Sequence, residues 1–413
     1  MESAPSLPPA PALPLSPMSA LSLVLRDPVL RLASGLSFLL GALACTIGPY
    51  VSVLAVETFG LGDRGYAAML ALSTALSVAA ALWVGIRADQ TAQRRGLTLL
   101  ALAAQALGLG LVALRPGVAS FLLHQVLLGP VGATVFGQIF ALARLAASTR
   151  PMAERDAVMG VVRALFAAPF VVVLPLWALA FREGAPVLAV YPVSFALSLA
   201  MLAVTWAFWP RDGATQWADA RSGLSFGAAL RELSHPRLVS RILMLGAVGS
   251  MMTLYMALAG LVLSPAIGRG PGDVALYVGL VAGLEVPFML AVPRLTAGMG
   301  RARAILIASA IYVLHLGLMP VLAPGPWLWL LVLPAAAGGA VIITLPIAYL
   351  QDLLAERPGT GASLMALQKL AGDVMAALAF ALGAWIAGYA LVALIGCVLG
   401  LAAAAWLAQA DRR

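Results

Sequence analysis

Apolar residues run through this chain in long unbroken stretches, each closed by a short segment rich in arginine, glycine or proline. A run of about 18 or more apolar residues is long enough to cross a bilayer as a helix. Twelve such runs are predicted, over roughly 29–56, 64–86, 96–114, 118–147, 157–181, 186–209, 239–264, 274–297, 303–322, 326–350, 361–388 and 390–408. Membrane barrels read as short alternating segments, whereas these runs are continuous, which favours helices. The longest internal polar stretch, 210–237, separates the sixth run from the seventh. The pattern therefore predicts an all-α membrane protein with twelve transmembrane helices in two six-helix, pseudo-symmetric bundles. The expected division is a disordered cytoplasmic N-terminal tail over 1–28, a first bundle over 29–209, a cytoplasmic linker over 210–238 and a second bundle over 239–413. The tail reading rests on six prolines before Arg26 and on the lack of a basic segment leading into an apolar core, which a signal peptide would need.

Composition agrees. Of 413 residues, 62% are apolar and 10% charged, too few charges to cover a soluble protein of this size. The net charge of +8 would suit nucleic acid, but the basic residues are dispersed over the connections between runs, so no nucleic-acid partner is expected. With the N-terminus inside, only Arg64, Arg115, Arg182 and Arg269 fall outside, and the other 21 of the 25 lysines and arginines fall inside. The positive-inside rule thus predicts cytoplasmic N- and C-termini. Cys45 and Cys397 each lie within an apolar run and suggest no disulfide framework.

Against this background Glu285 stands out. It sits near the middle of the eighth run, in Gly279-Leu-Val-Ala-Gly283-Leu-Glu285-Val-Pro287. A carboxylate in hydrocarbon is costly, so it faces protein or a wet cavity and is a functional candidate, here for proton coupling. The alternative is a structural Glu paired with an arginine. Gly279 and Gly283 let a second helix approach closely. Asp373 is a second coupling candidate. It lies four residues after Lys369, the only lysine, so the two share a helix face and can pair. That pair reads either as neutralisation or as a titratable site. Gln138 and Arg144 of the fourth run and Tyr255 of the seventh are candidates for a solute cavity, Tyr255 alternatively serving as a helix contact. His124 reads as a satisfied interfacial histidine and His315 as structural. No metal, cofactor or nucleophile motif is found, so no cofactor is expected and an enzyme is disfavoured.

The connection after the second run reads Gly85-Ile-Arg87-Ala-Asp89-Gln-Thr-Ala-Gln-Arg94-Arg95. An acid at a helix end followed by a basic pair makes a charge cluster that can lock one helix arrangement, with Asp89, Arg94 and Arg95 as its members. The spacing resembles the loop signature of the major facilitator superfamily, with Gln90, Ala92 and Gln93 where an arginine, a glycine and a basic residue are usual. Three further segments resemble the bacterial sugar efflux transporters of that superfamily: Gln138 to Arg144 continuing through Arg155-Asp156 to Arg163, Gly283 to Leu290, and Gln351-Asp352-Leu353 with Gly361-Ala-Ser363-Leu364. Ala168-Pro169-Phe-Val-Val departs from the glycine-rich stretch that exporters often carry in the fifth span.

The resemblance covers roughly 29–408. It implies a multi-pass protein of the bacterial inner membrane, with spans 1, 4, 7 and 10 around a cavity and the halves rocking for alternating access. It implies proton-coupled efflux of sugars or related small polar solutes, a drug or other metabolite exporter being the alternative. Small solute, protons and lipid are the expected partners, and a monomer the expected state. The family fold places spans five and eight side by side. Counting about 1.5 Å per residue from the predicted helix starts puts Arg163 at a depth similar to or slightly shallower than that of Glu285. Glu285 is therefore expected to face Arg163 across the interface.

Overall fold

The computed structural model describes residues 17–213, 215–217, 236–353 and 361–412. Twelve helices in it are long and apolar enough to cross a membrane: Pro28–Thr58, Gly62–Ala88, Arg94–Leu114, Val118–Ala147, Ala157–Arg182, Val187–Phe208, Pro236–Val262, Pro271–Leu295, Arg301–Leu322, Pro326–Leu350, Leu367–Ala387 and Tyr389–Ala410. They are called spans 1 to 12. Large apolar side chains such as Leu72, Trp83, Leu176, Leu290, Leu378 and Trp385 point outward, exposed. On a soluble protein so much exposed apolar surface would aggregate; facing acyl chains it is at home.

The spans form two halves of like topology. Span 1 packs on span 5, span 2 on span 4, and span 3 on span 6. The second half repeats each pairing six spans later: 7 on 11, 8 on 10 and 9 on 12. The halves meet through span 5 on span 8 and span 2 on span 11.

Because the number of spans is even, residues 17 and 412 lie on one face, the terminal face; the other is the distal face. At the distal face the halves touch closely. A Cβ on Gly260 of span 7 would lie 2.6 Å from Ser52 Oγ and 3.1 Å from the Pro49 carbonyl oxygen of span 1. The Tyr389 hydroxyl of span 12 donates to Asp63 Oδ1 of span 2 at 2.9 Å. Tyr66 of span 2 meets Phe380 of span 11 edge-on, centroids 5.0 Å apart. The face is thus closed by small residues, one hydrogen bond and one ring pair.

Proline shapes several spans. Pro49 and Pro130 each lack an N–H and crowd the carbonyl four residues back. The chain winds to 3₁₀ at Gly48–Tyr50 and to π at Leu54–Thr58 in span 1, and to π at Leu123–Leu128 in span 4. Such local changes re-house backbone groups that a straight helix would leave unpaired in lipid. Pro169 and Pro175 interrupt span 5, and Pro287 and Pro293 interrupt span 8, the two spans that share an interface.

The tail expected over 1–28 is instead helical from Pro17 to Arg26. Ala20 and Val24, four apart, are buried, Val24 against Leu30, Ala146, Ala147 and Val158. Apolar spacing at one helical turn outweighs the prolines, which lie upstream or at the first helical position.

Candidate functional site

Span 8 approaches span 5 through its glycines, as their spacing suggests. A Cβ on Gly279 would sit 3.2 Å from Leu174 Cβ and 3.6 Å from the Phe170 carbonyl oxygen; one on Gly283 would meet Val171 at 3.9 Å. Glu285 lies on another side of the helix. Its carboxylate oxygen presses on Gly339 of span 10, where an added Cβ would overlap it. The same point lies 3.6 Å from the ring edge of Tyr312 in span 9. Glu285 has neither an ion pair nor a hydrogen bond with any described residue.

The expected Glu285–Arg163 pair is therefore absent from this conformation. Gly272 packs on Ala178 to Arg182, Gly279 on Phe170 to Pro175, and Gly283 on Val171. Extending this antiparallel register places Arg163 about five residues, roughly 7 Å at 1.5 Å per residue, closer to the terminal face than Glu285. The side chain of Arg163 is exposed. Estimating depth from predicted helix ends missed the register by more than a turn and could not say which side of span 8 carries Glu285.

Around Glu285 the second half gathers a buried polar cluster. The Tyr277 hydroxyl of span 8 and Nδ1 of His315 in span 9 share a hydrogen bond of 3.0 Å. Tyr255 of span 7 meets the His315 ring edge-on at 4.8 Å, and Tyr312 does so at 5.1 Å. Tyr255 and Tyr312 lie within the electrostatic reach of Glu285. His315 is structural in that it is packed, but it belongs to this cluster rather than to a periphery. Tyr277, Tyr312 and Gly339 were not singled out from the sequence. The available signal was Tyr312 three residues before His315, which puts both on one helix face.

Lys369 Nζ lies 2.6 Å from Asp373 Oδ2, as the spacing of four predicts. Asp373 Oδ1 also accepts from Thr253 of span 7 at 2.8 Å, a partner the sequence did not indicate. Span 11 packs on span 2 of the other half, so this group sits on a span at the interface between halves. Lys369 keeps 73% of its side chain exposed, which leaves its charge free for another partner.

The cavity candidates separate. Arg144 is exposed, whereas Gln138 and Tyr255 are buried, so in this conformation neither of the latter presents its polar end to an open cavity. Oε1 of Gln138 and the hydroxyl of Tyr255 have no hydrogen-bond partner. His124, expected at the interface, is buried beside Tyr191 and Gly108, both ring nitrogens unpaired. The π winding of span 4 turns it into the bundle.

In the loop after span 2, the side chain of Asp89 lies outside the described residues, as do the side chains of Asp156, Gln351, Asp352, Leu353 and Ser363. Arg95 reaches across to span 6: Nη2 donates to the Trp206 carbonyl at 2.8 Å and its backbone N–H to Asp212 Oδ1 at 3.3 Å. Ala92 ends the helix in the left-handed region, at φ 54°, the only described non-glycine there. Glycine, usual at this place in the loop signature, takes that conformation without a Cβ clash. Ala92→Gly is expected to stabilise the protein by about 1 kcal/mol, read as a higher unfolding temperature at unchanged helix content.

No protein-family model matches the chain. A Deinococcus radiodurans protein named "Putative sugar efflux transporter" is 28% identical over 387 residues, 91% of this chain and 96% of that one. The crystal structure of nucleoside transporter NupG superposes with a TM-score of 0.74 at 13% identity, over 92% of this chain and 98% of that one. A D-xylose-proton symporter gives 0.68 at 15% identity, over 95% and 97%. The chain has the major facilitator fold. In the major facilitator fold observed here, the Glu285 cluster belongs wholly to the second half, and the Asp373 group lies where the halves meet.

Proposed function

We propose that this chain is a secondary active transporter of a bacterial inner membrane, which exports a sugar or related small polar solute in exchange for protons. The fold supports alternating access, and the name of the Deinococcus protein supports the solute class and direction. The observation that carries the coupling is Glu285, a carboxyl midway along a span with no basic partner among the described residues. An ionisable group so placed is retained at a cost and suits loading and release of a proton. Solute sites in such folds lie near the midplane between the halves, and on this reading Asp373, with its partners Lys369 and Thr253, contributes to that site.

On this reading the chain termini are cytoplasmic, following the distribution of arginines. The distal face is then external, and the conformation is closed to the outside. A cysteine at Gly270 is expected to react with an impermeant thiol reagent from outside, and one at Gly298 only from inside. The native Cys45 and Cys397 are buried and give little background. Labelling of Gly298 from outside would end the assigned orientation. The function is tested in proteoliposomes by following proton movement as sugars, nucleosides and cationic drugs are added in turn. Proton flux driven by drugs but by no sugar would remove the sugar reading.

A further inference from the structure

Four of the spans in the second half meet around Glu285, and the groups they bring complement a carboxyl. Span 10 brings Gly339, whose missing side chain makes the room that the carboxyl occupies. Span 9 brings Tyr312 and His315, both 0% exposed; span 7 brings Tyr255, 3% exposed. The hydroxyls of Tyr255 and Tyr312 and Nε2 of His315 are buried without a hydrogen-bond partner. Leaving one such group unpaired costs about 1–3 kcal/mol, so two unpaired hydroxyls within reach of one carboxyl need a common explanation. His315 Nδ1 is already engaged by Tyr277, which leaves only Nε2 to serve another group. From the other half, span 5 offers Phe170 and Val171 near the glycine face of span 8, neither of them charged.

We propose that Gly339, Tyr312 and Tyr255 form a seat for the Glu285 carboxyl within the second half, with Gly339 and Tyr312 as positioning residues for proton coupling. The seat holds both forms of the group. As carboxylate, Glu285 accepts from the Tyr312 and Tyr255 hydroxyls. As carboxylic acid, it donates a hydrogen bond to a phenol oxygen. A small rotation of the Glu285 side chain within the space at Gly339 completes these bonds. Seated, the carboxyl is withdrawn from the interface between the halves, and the seat thereby adds a resting position to the proton carrier of the proposed function, on which it rests.

The test is modification of Glu285 by dicyclohexylcarbodiimide in the full-length protein in lipid nanodiscs, followed by mass spectrometry of the span 8 peptide. Glu285→Gln supplies the unreactive control. The seated carboxyl is expected to react slowly. Tyr312→Phe removes one oxygen and keeps the ring, and it is expected to raise the rate about tenfold, as loss of one hydrogen bond to a charged group implies. Gly339→Ala fills the seat and is expected to raise it at least as much. Tyr312→Phe is the deciding variant, being the milder for folding, and its unfolding temperature is measured alongside. An unchanged rate in folded Tyr312→Phe protein overturns the seat, whatever Gly339→Ala does. Proton coupling that survives in Glu285→Gln would instead refute the carrier role and leave these rates as they are, so the two failures are distinguishable.

Discussion

Glu285→Gln is expected to remove pH-driven solute accumulation while leaving exchange of solute down its gradient. The amide keeps the size and hydrogen-bonding capacity of the acid but cannot gain or lose a proton near neutral pH. A carrier of alternating access moves solute both ways once coupling is lost, so accumulation should fall at least tenfold with counterflow near wild type. The competing view makes Glu285 half of a fixed ionic clamp. That view predicts lower stability with coupling retained, because breaking a buried pair leaves an uncompensated charge. The geometry already disfavours the clamp here, since no basic side chain among the described residues meets the carboxylate. If a well-folded Glu285→Gln protein still accumulates solute in response to pH, Asp373 becomes the carrier to examine, through Asp373→Asn.

Gly260→Val is expected to shift the protein away from the closed distal face. In the closed arrangement Gly260 lies against Ser52 and Pro49, and separating the halves at this face is expected to relieve the added methyl groups. Overpacking costs about 1–3 kcal/mol. Placed on one of two conformations, that cost changes their ratio by roughly 5- to 150-fold, with no fold-wide penalty, because the other conformation is spared. Spin labels at Gly62 and Gly270, one in each half, would report a longer distance distribution. Tyr389→Phe, which deletes the bond to Asp63, should act in the same direction by less. A shorter or unchanged distance in Gly260→Val would mean that this contact is not a gate.

The architecture was legible because lipid imposes it. A backbone that cannot bond to water must be helical across the core, so run length alone gives the spans and their number. Within a helix, spacing was sufficient: Lys369 and Asp373 pair as four-residue separation requires, and Gly279 and Gly283 mark the face turned to span 5. Between helices it was not. Glu285 was assigned to Arg163 by depth, and a register difference of about five residues with a different helix face sent it to Gly339. The partners that matter, Gly339, Tyr312, Tyr255 and Thr253, come from spans remote in sequence. An apolar run with little amphipathic contrast does not say which of its faces meets which neighbour. The helix at Pro17–Arg26 was missed for a simpler reason: a proline-rich preface masked two small apolar residues one turn apart.

The described ion pairs at the terminal face carry one more consequence. Arg150 holds Asp27 at 3.1 Å and Glu154 at 3.6 Å, all within the first half. Arg241 holds Asp411 at 3.0 Å, and the Tyr349 hydroxyl donates to that carboxylate, all within the second half. None of these clusters crosses from one half to the other, so each travels with its own bundle. Rocking therefore neither breaks nor makes them, and added salt, which weakens exposed pairs by screening, softens each half through them. Heat-induced unfolding of each half would register the screening of these pairs.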